Sequence, residues 1–210
     1  AMTSTTRRGT TRATRATGGA RARRCKESSG LPAIAYQRGA IVLDPDAATA
    51  LARVPGVVGI KDGTGDIDRM ARIVRAVRRD IGPDFTFFNG LPTAELTQPA
   101  YRALGVGLYS SAAFCFVPEV ATAFRRALDD EDGDGDGELV RVLLDEFYAP
   151  LVELRCRVPG YAVSLVKAGV RLRGLDAGTV RPPLVEPSAE HLAELGRLIK
   201  TGLAIVDADT

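Results

Sequence analysis

The sequence predicts an α/β protein built on a parallel sheet with helices over it, and three observations carry that prediction. Four short apolar runs are each followed by a segment with helical spacing. The ends of those runs, at Tyr36, Lys61, Asn89 and Ser110, lie 25, 28 and 21 residues apart, which suits repeated strand–helix units. Beyond them the pattern is helical only. At 210 residues and 45% apolar content, the chain is long enough to bury a core in one domain or two.

The elements follow in order. "LPAIAYQ" is the first strand, and "LDPDAATALARV" then opens a helix with Asp44 as N-cap and Pro45 at its first position. "GVVGIK" is the second strand. Asp66 starts a helix whose Ile67, Met70, Val74, Val77 and Ile81 share one face. "FTFFN" is the third strand, with a helix expected from Pro92 to about Leu104. "VGLYS" is the fourth, followed by a helix through Val117, Val120, Ala121, Phe124 and Leu128. The helical remainder reads as one helix from about Glu138 to Arg155, a second from Tyr161 to Leu172 and a third after Ser188. A Pro/Gly-rich loop precedes the third.

Composition excludes several classes. No apolar run reaches the roughly 18 residues of a membrane span. Three cysteines without C-x-x-C spacing argue against a disulfide framework or a zinc site, so a reducing cytoplasm is expected. One histidine, His191, leaves little for a metal or a His-based triad. The net charge of +2 hides seven Arg and no acid in residues 1–24, over a body of net charge −5 with no nucleic-acid face. That Thr/Arg/Ala/Gly leader is expected to be disordered. A transit peptide, a basic arm and a leader unrelated to the fold, as an out-of-frame reading would give, are the readings open to it. "DDEDGDGDGE" imitates the start of a calcium loop, but Leu143 stands where a bidentate Glu is required, so it reads as a solvated acidic loop.

The chemistry points to "VVGIKDGTGDIDRM". Only four of the 28 basic residues are lysine, and Lys61 is the one placed where an apolar strand meets a Gly-rich turn. A lysine can lose its proton and attack a carbonyl, which an arginine cannot. Burial at a strand mouth disfavours the charged amine. Ligands of parallel sheets bind at the strands' carboxyl ends. There Tyr36 could converge with Lys61 as a proton shuttle, while the Asn89-Gly90 and Ser110-Ser111 amides and hydroxyls could hold substrate oxygens. The plainer alternatives are Lys61 paired with Asp62 or Asp66, and Tyr36 as a core aromatic with its hydroxyl at the rim.

Five separated segments, "AYQR", "GIKDGTGDID", "NGLPTAE", "YSSAAFCFVP" and "GYAVSLVKAG", resemble the dihydrodipicolinate synthase/N-acetylneuraminate lyase superfamily. Within it they resemble the 5-dehydro-4-deoxyglucarate dehydratases, over residues from about Cys25 to Ile199. The resemblance implies a (β/α)8 barrel of which this chain holds strands five to eight and the helical segment after them. The organisation expected is a leader at 1–24, a half-barrel at 25–130, an acidic loop at 131–137, a C-terminal helical segment at 138–202 and a tail at 203–210.

The activity implied is a class I dehydratase that turns 5-dehydro-4-deoxy-D-glucarate into 2,5-dioxopentanoate with loss of water and CO2. Lys61 and Tyr36 would be catalytic, and Thr64, Asn89, Gly90, Ser110 and Ser111 would contact substrate. No metal or cofactor is implied, and the partner is a small keto-sugar acid. The family's Gly-Thr-Gly-Glu-type carboxylate loop has no counterpart here, so weak or absent turnover is expected of this chain. Bare sheet edges leave room for two copies to pair. The rival readings are a related Schiff-base keto-acid aldolase and a non-catalytic barrel fragment.

Overall fold

The computed structural model describes residues 28–129 and 137–208. The leader and most of the acidic loop lie outside them. The chain divides into two units: one runs to Leu91 and adds Ala100–Ser110, and the other comprises Pro92–Pro99 and Ser111 onward. The division therefore falls at the ends of the third and fourth strands rather than at the acidic loop.

In the first unit the expected alternation is present. β1 (Ala33–Gln37), α1 (Pro45–Ala52), β2 (Val57–Asp62), α2 (Ile67–Asp80), β3 (Thr86–Asn89), α3 (Gln98–Ala103) and β4 (Leu108–Tyr109) follow one another. The four strands form one parallel sheet in the order β1-β2-β3-β4. α1 starts where the sequence places it: the Asp44 carboxylate accepts from Ala47 N at 2.7 Å, and Pro45 needs no N–H partner in the first turn. Asp66 caps α2 in the same way, accepting from Arg69 N at 2.9 Å. The buried stripe Met70, Ile73, Val74 and Val77 lays that helix on the sheet, each side chain worth about 1.5–3 kcal/mol of burial.

Register decides which residues share a face. Tyr36 pairs with Lys61, Lys61 with Phe88 and Phe88 with Leu108; the next row is Gln37, Asp62, Asn89 and Tyr109. Strand side chains alternate between faces. Ile60 and Phe87 therefore point into the core with α1 and α2, while the other face is open: Ile34 is 47% exposed, Tyr36 39% and Leu108 41%.

The second unit is helical, with α4 (Pro118–Asp129), α5 (Gly137–Leu143), α6 (Ala149–Cys156), α7 (Tyr161–Leu172) and α8 (Ala189–Ala208). Three expectations need correction. The helix expected from Pro92 to Leu104 is a 3-10 turn at Ala94–Thr97 followed by the short α3, because Pro99 cannot donate to the carbonyl of Glu95. The helix expected from Glu138 to Arg155 contains a π turn at Leu144–Tyr148. Pro150 lacks the N–H that would bond the Glu146 carbonyl, and the widened turn takes up the break. The tail expected at 203–210 is helix as far as Ala208. Small residues bring these helices close: a Cβ on Gly202 would lie 2.9 Å from the Phe147 ring, and one on Gly169 would lie 2.6 Å from Phe116. No helix among the described residues is long and apolar enough to cross a membrane.

Candidate active site

Lys61 and Tyr36 sit side by side at the carboxyl ends of β2 and β1, on the open face of the sheet. The lysine is half-buried, and its Nζ lies 5.1 Å from the centre of the Tyr36 ring. Among the described residues neither neighbouring carboxylate pairs with it. Asp66 holds Arg69 at 3.0 Å, and Asp62 is engaged elsewhere. The amine is thus left to meet a carbonyl, with a phenol beside it.

Two glycines make room for this pair. A Cβ on Gly90 would lie 2.6 Å from Lys61 Cγ and Cε and 2.9 Å from the Asp62 carbonyl. A Cβ on Gly63 would meet the Tyr36 ring and hydroxyl at 2.9 Å. Only a residue without a side chain fits at either place. Gly90 also fixes the phenol: the Tyr36 hydroxyl donates to its carbonyl at 2.8 Å, while its own N–H donates to the Asp62 carbonyl at 2.6 Å.

Behind the pair lies a buried polar belt. Asp62 Oδ1 accepts from Gln37 Nε2 at 2.7 Å, from Thr64 N at 2.9 Å and from Thr64 Oγ1 at 2.7 Å, and Oδ2 accepts from the Tyr101 hydroxyl. Gln37 Oε1 accepts from Leu43 N at 3.0 Å, which fixes the orientation of its amide. Burial, and then the neighbouring Asp62 carboxylate, push the Tyr101 hydroxyl far above its ordinary pKa, so it remains a donor.

The other residues singled out in the sequence divide. Gly90 touches Lys61. Thr64 lies in the turn after β2, and its hydroxyl proton is given to Asp62. Asn89 is fully buried in the row behind Lys61, where its Oδ1 accepts from Leu91 N at 3.2 Å. Its side chain is not brought to the amine. Ser110 is exposed, and its N–H donates to the Asn89 carbonyl at 3.2 Å. Ser111 belongs to the second unit. There its hydroxyl donates to Glu95 Oε1 and accepts from Phe114 N at 3.0 Å.

Glu95 is fully buried, and its Oε2 has no hydrogen-bond partner among the described residues. Burial raises its pKa above the ordinary carboxylate range, and the Ser111 hydrogen bond only partly opposes that rise. In the same unit Arg155 Nη1 donates to Thr93 Oγ1 at 2.9 Å and to the Pro92 carbonyl, holding the turn in which Thr93 has φ 50°. The sequence reading assigned nothing to Asp62, Tyr101 or Glu95. The acid after the lysine is the only signal for Asp62, which enters there solely as an alternative partner of the amine.

Known proteins resemble this chain in sequence and fold. The model of the dihydrodipicolinate synthetase family matches residues 22–202. A protein of Streptomyces griseus subsp. griseus, named a probable 5-dehydro-4-deoxyglucarate dehydratase, is 59% identical over 180 residues, covering 85% of this chain and 55% of the relative. A Pseudomonas putida protein named 5-dehydro-4-deoxyglucarate dehydratase is 44% identical over 168 residues, covering 80% of this chain and 53% of the relative. The crystal structure of dihydrodipicolinate synthase from Oceanobacillus iheyensis superposes with a TM-score of 0.74 at 28% identity, over 90% of this chain and 60% of that one. The chain thus spans about half the length of the curated relatives it matches. With a parallel α/β sheet, a lysine and a tyrosine paired at its carboxyl end and a family match across most of its length, the chain belongs to the dihydrodipicolinate synthetase family.

Proposed function

We propose that this chain carries the Schiff-base portion of a decarboxylating dehydratase that acts on 5-dehydro-4-deoxy-D-glucarate. The observation that supports this most is the Tyr36–Lys61 pair, with the amine 5.1 Å from the ring and unpaired with either adjacent acid. The names of the relatives supply the substrate.

In the proposed chemistry the Lys61 amine attacks the keto carbon, and the carbinolamine loses water to give an iminium. A proton then leaves the adjacent methylene, and the resulting enamine expels the β-hydroxyl as water. The conjugated iminium accepts the electron pair released when the far carboxylate departs as CO2. The enol left behind becomes an aldehyde, and hydrolysis returns Lys61 and 2,5-dioxopentanoate. Tyr36, whose proton rests on the Gly90 carbonyl, assists the proton transfers. Thr64, Gly90 and Ser110 remain proposed substrate contacts, whereas Asn89 is withdrawn because its side chain is buried in the row behind Lys61.

The four strands are read as strands five to eight of a (β/α)8 barrel. The open sheet face and the chain's share of its relatives' length support that reading. We therefore expect weak turnover, and two copies have edges to share. The cytoplasm is the proposed location. The test is reduction with borohydride in the presence of 5-dehydro-4-deoxyglucarate or pyruvate, followed by peptide mass mapping. A reduced adduct on the Lys61 peptide is expected, and an unmodified Lys61 refutes the proposal. Release of a dehydrated product, rather than a cleaved one, separates it from an aldolase.

A further inference from the structure

The Asp62 carboxylate is fully buried, and no cation among the described residues pairs with it. Two of its four partners, Gln37 Nε2 and Thr64 N, can only donate. Gln37 cannot turn its oxygen toward Asp62, because that oxygen already serves Leu43 N. The belt is therefore built for an anion. Every donor that holds this anion also occupies a lone pair, so Asp62 is poorly placed to act as a base. Its side chain points away from the face that carries Lys61, so it does not reach a substrate there.

We propose that Asp62 is a positioning residue for Lys61 and provides the fixed counter-charge for the cation that Lys61 carries, first as ammonium and then as iminium. This inference rests on the Schiff-base reading above. The carboxylate is one residue from the amine along β2, and its geometry is set on three sides. The Gln37 amide ties it to β1, the Tyr101 hydroxyl to α3, and the Gly90 N–H bonded to its own carbonyl ties the strand end to the loop after β3. A charge held this way needs no reorganisation when the iminium forms.

Among the described residues of the first unit, the other titratable groups near Lys61 are few. From β1 there is Tyr36, whose ring the amine faces. Beyond Asp62 lie Tyr101 and Asp66, the latter bound to Arg69. β3 and the glycine after it bring Phe88, Asn89 and Gly90, none of which titrates. α1 and α2 meet the sheet through apolar side chains such as Ala48, Met70 and Ile73.

The test follows adduct formation at Lys61 in the full 210-residue chain. Pyruvate is the probe, cyanoborohydride the trap, and the pH is varied across the profile. Asp62→Asn removes the charge and keeps the shape. Its profile midpoint is expected to fall by on the order of half to one pH unit, for a charge about 8–10 Å away in a partly screened site. Tyr101→Phe removes one donor and leaves the charge less shielded, so its midpoint is expected to rise. A purely structural role would move both midpoints the same way or neither. An unchanged midpoint in a folded Asp62→Asn chain overturns the proposal, as does a fall in both variants. Should Asp62→Asn not fold, Tyr101→Phe decides: a raised midpoint supports the proposal, and an unmoved or lowered one overturns it. If the unsubstituted chain forms no adduct at all, the Schiff-base reading fails and this proposal fails with it.

Discussion

Replacing Gly90 with Ala tests whether the lysine is held by shape. The backbone at Gly90 is not in the left-handed region, so alanine is conformationally allowed there. On the unfolded chain alone the substitution would stabilise by about 0.4–1 kcal/mol. The added methyl, however, would lie 2.6 Å from Lys61 Cγ and Cε and 2.9 Å from the Asp62 carbonyl. Carbon atoms prefer about 3.5–4.0 Å, so the lysine stem has to move by about 1 Å. The Asp62 carbonyl cannot retreat without lengthening its 2.6 Å bond from Gly90 N. Overpacking of this kind costs about 1–3 kcal/mol, and a catalytic group displaced by about 1 Å loses on the order of 100-fold in rate. The assay is the rate of borohydride-trapped adduct at Lys61, read beside thermal unfolding of the same sample. A Gly90→Ala chain that traps at the unsubstituted rate refutes the claim that this glycine seats the amine.

Two further outcomes follow from the same geometry. Tyr36→Phe removes the donor to the buried Gly90 carbonyl, which costs about 1 kcal/mol of stability and slows product formation about 100-fold or more; product released at the full rate would remove Tyr36 from the mechanism. Glu95 has a folded pKa above its unfolded one, so its carboxyl weighs nothing against folding at low pH, and stability is lost as pH rises through the folded value. Glu95→Gln should therefore raise the melting temperature more at pH 8 than at pH 4, and melting scans showing the same change at both pH values would contradict the burial argument.

The sequence reading of the first unit succeeded where local signals agree. Asp44 and Asp66 carry cap chemistry in their own residue type, and Met70, Val74 and Val77 of the expected α2 stripe are buried, although Ile67 and Ile81 at its ends are exposed and Ile73 joins it. Lys61 was legible because a lysine in an arginine-using chain stands at a strand end. The contacts that organise the site depend on register, which no local pattern encodes. Gly90 is 29 residues from Lys61 yet packs against its stem, and Tyr101 is 39 residues from the Asp62 it bonds. The same limit explains Asn89: its place at a strand end was readable, but whether its side chain faces the amine or the core turns on a single residue of alternation. Pro99 and Pro150 were visible as letters. Their effects, a broken helix and a widened turn, come from the helical bonds that a proline nitrogen cannot make to the carbonyl four residues back.

The hydrogen bond from Tyr36 to the Gly90 carbonyl has a consequence for when acid chemistry can begin. At rest the phenolic hydrogen is parked on a neutral backbone oxygen, a weak host that takes it no further. Turning the C–O bond toward an arriving negative oxygen hands over a better acceptor and frees the carbonyl to find water. On the proposed reading of this pair, the acid is thus off duty until a ligand's own charge summons it, and Lys61 has no ready proton donor beside it before then.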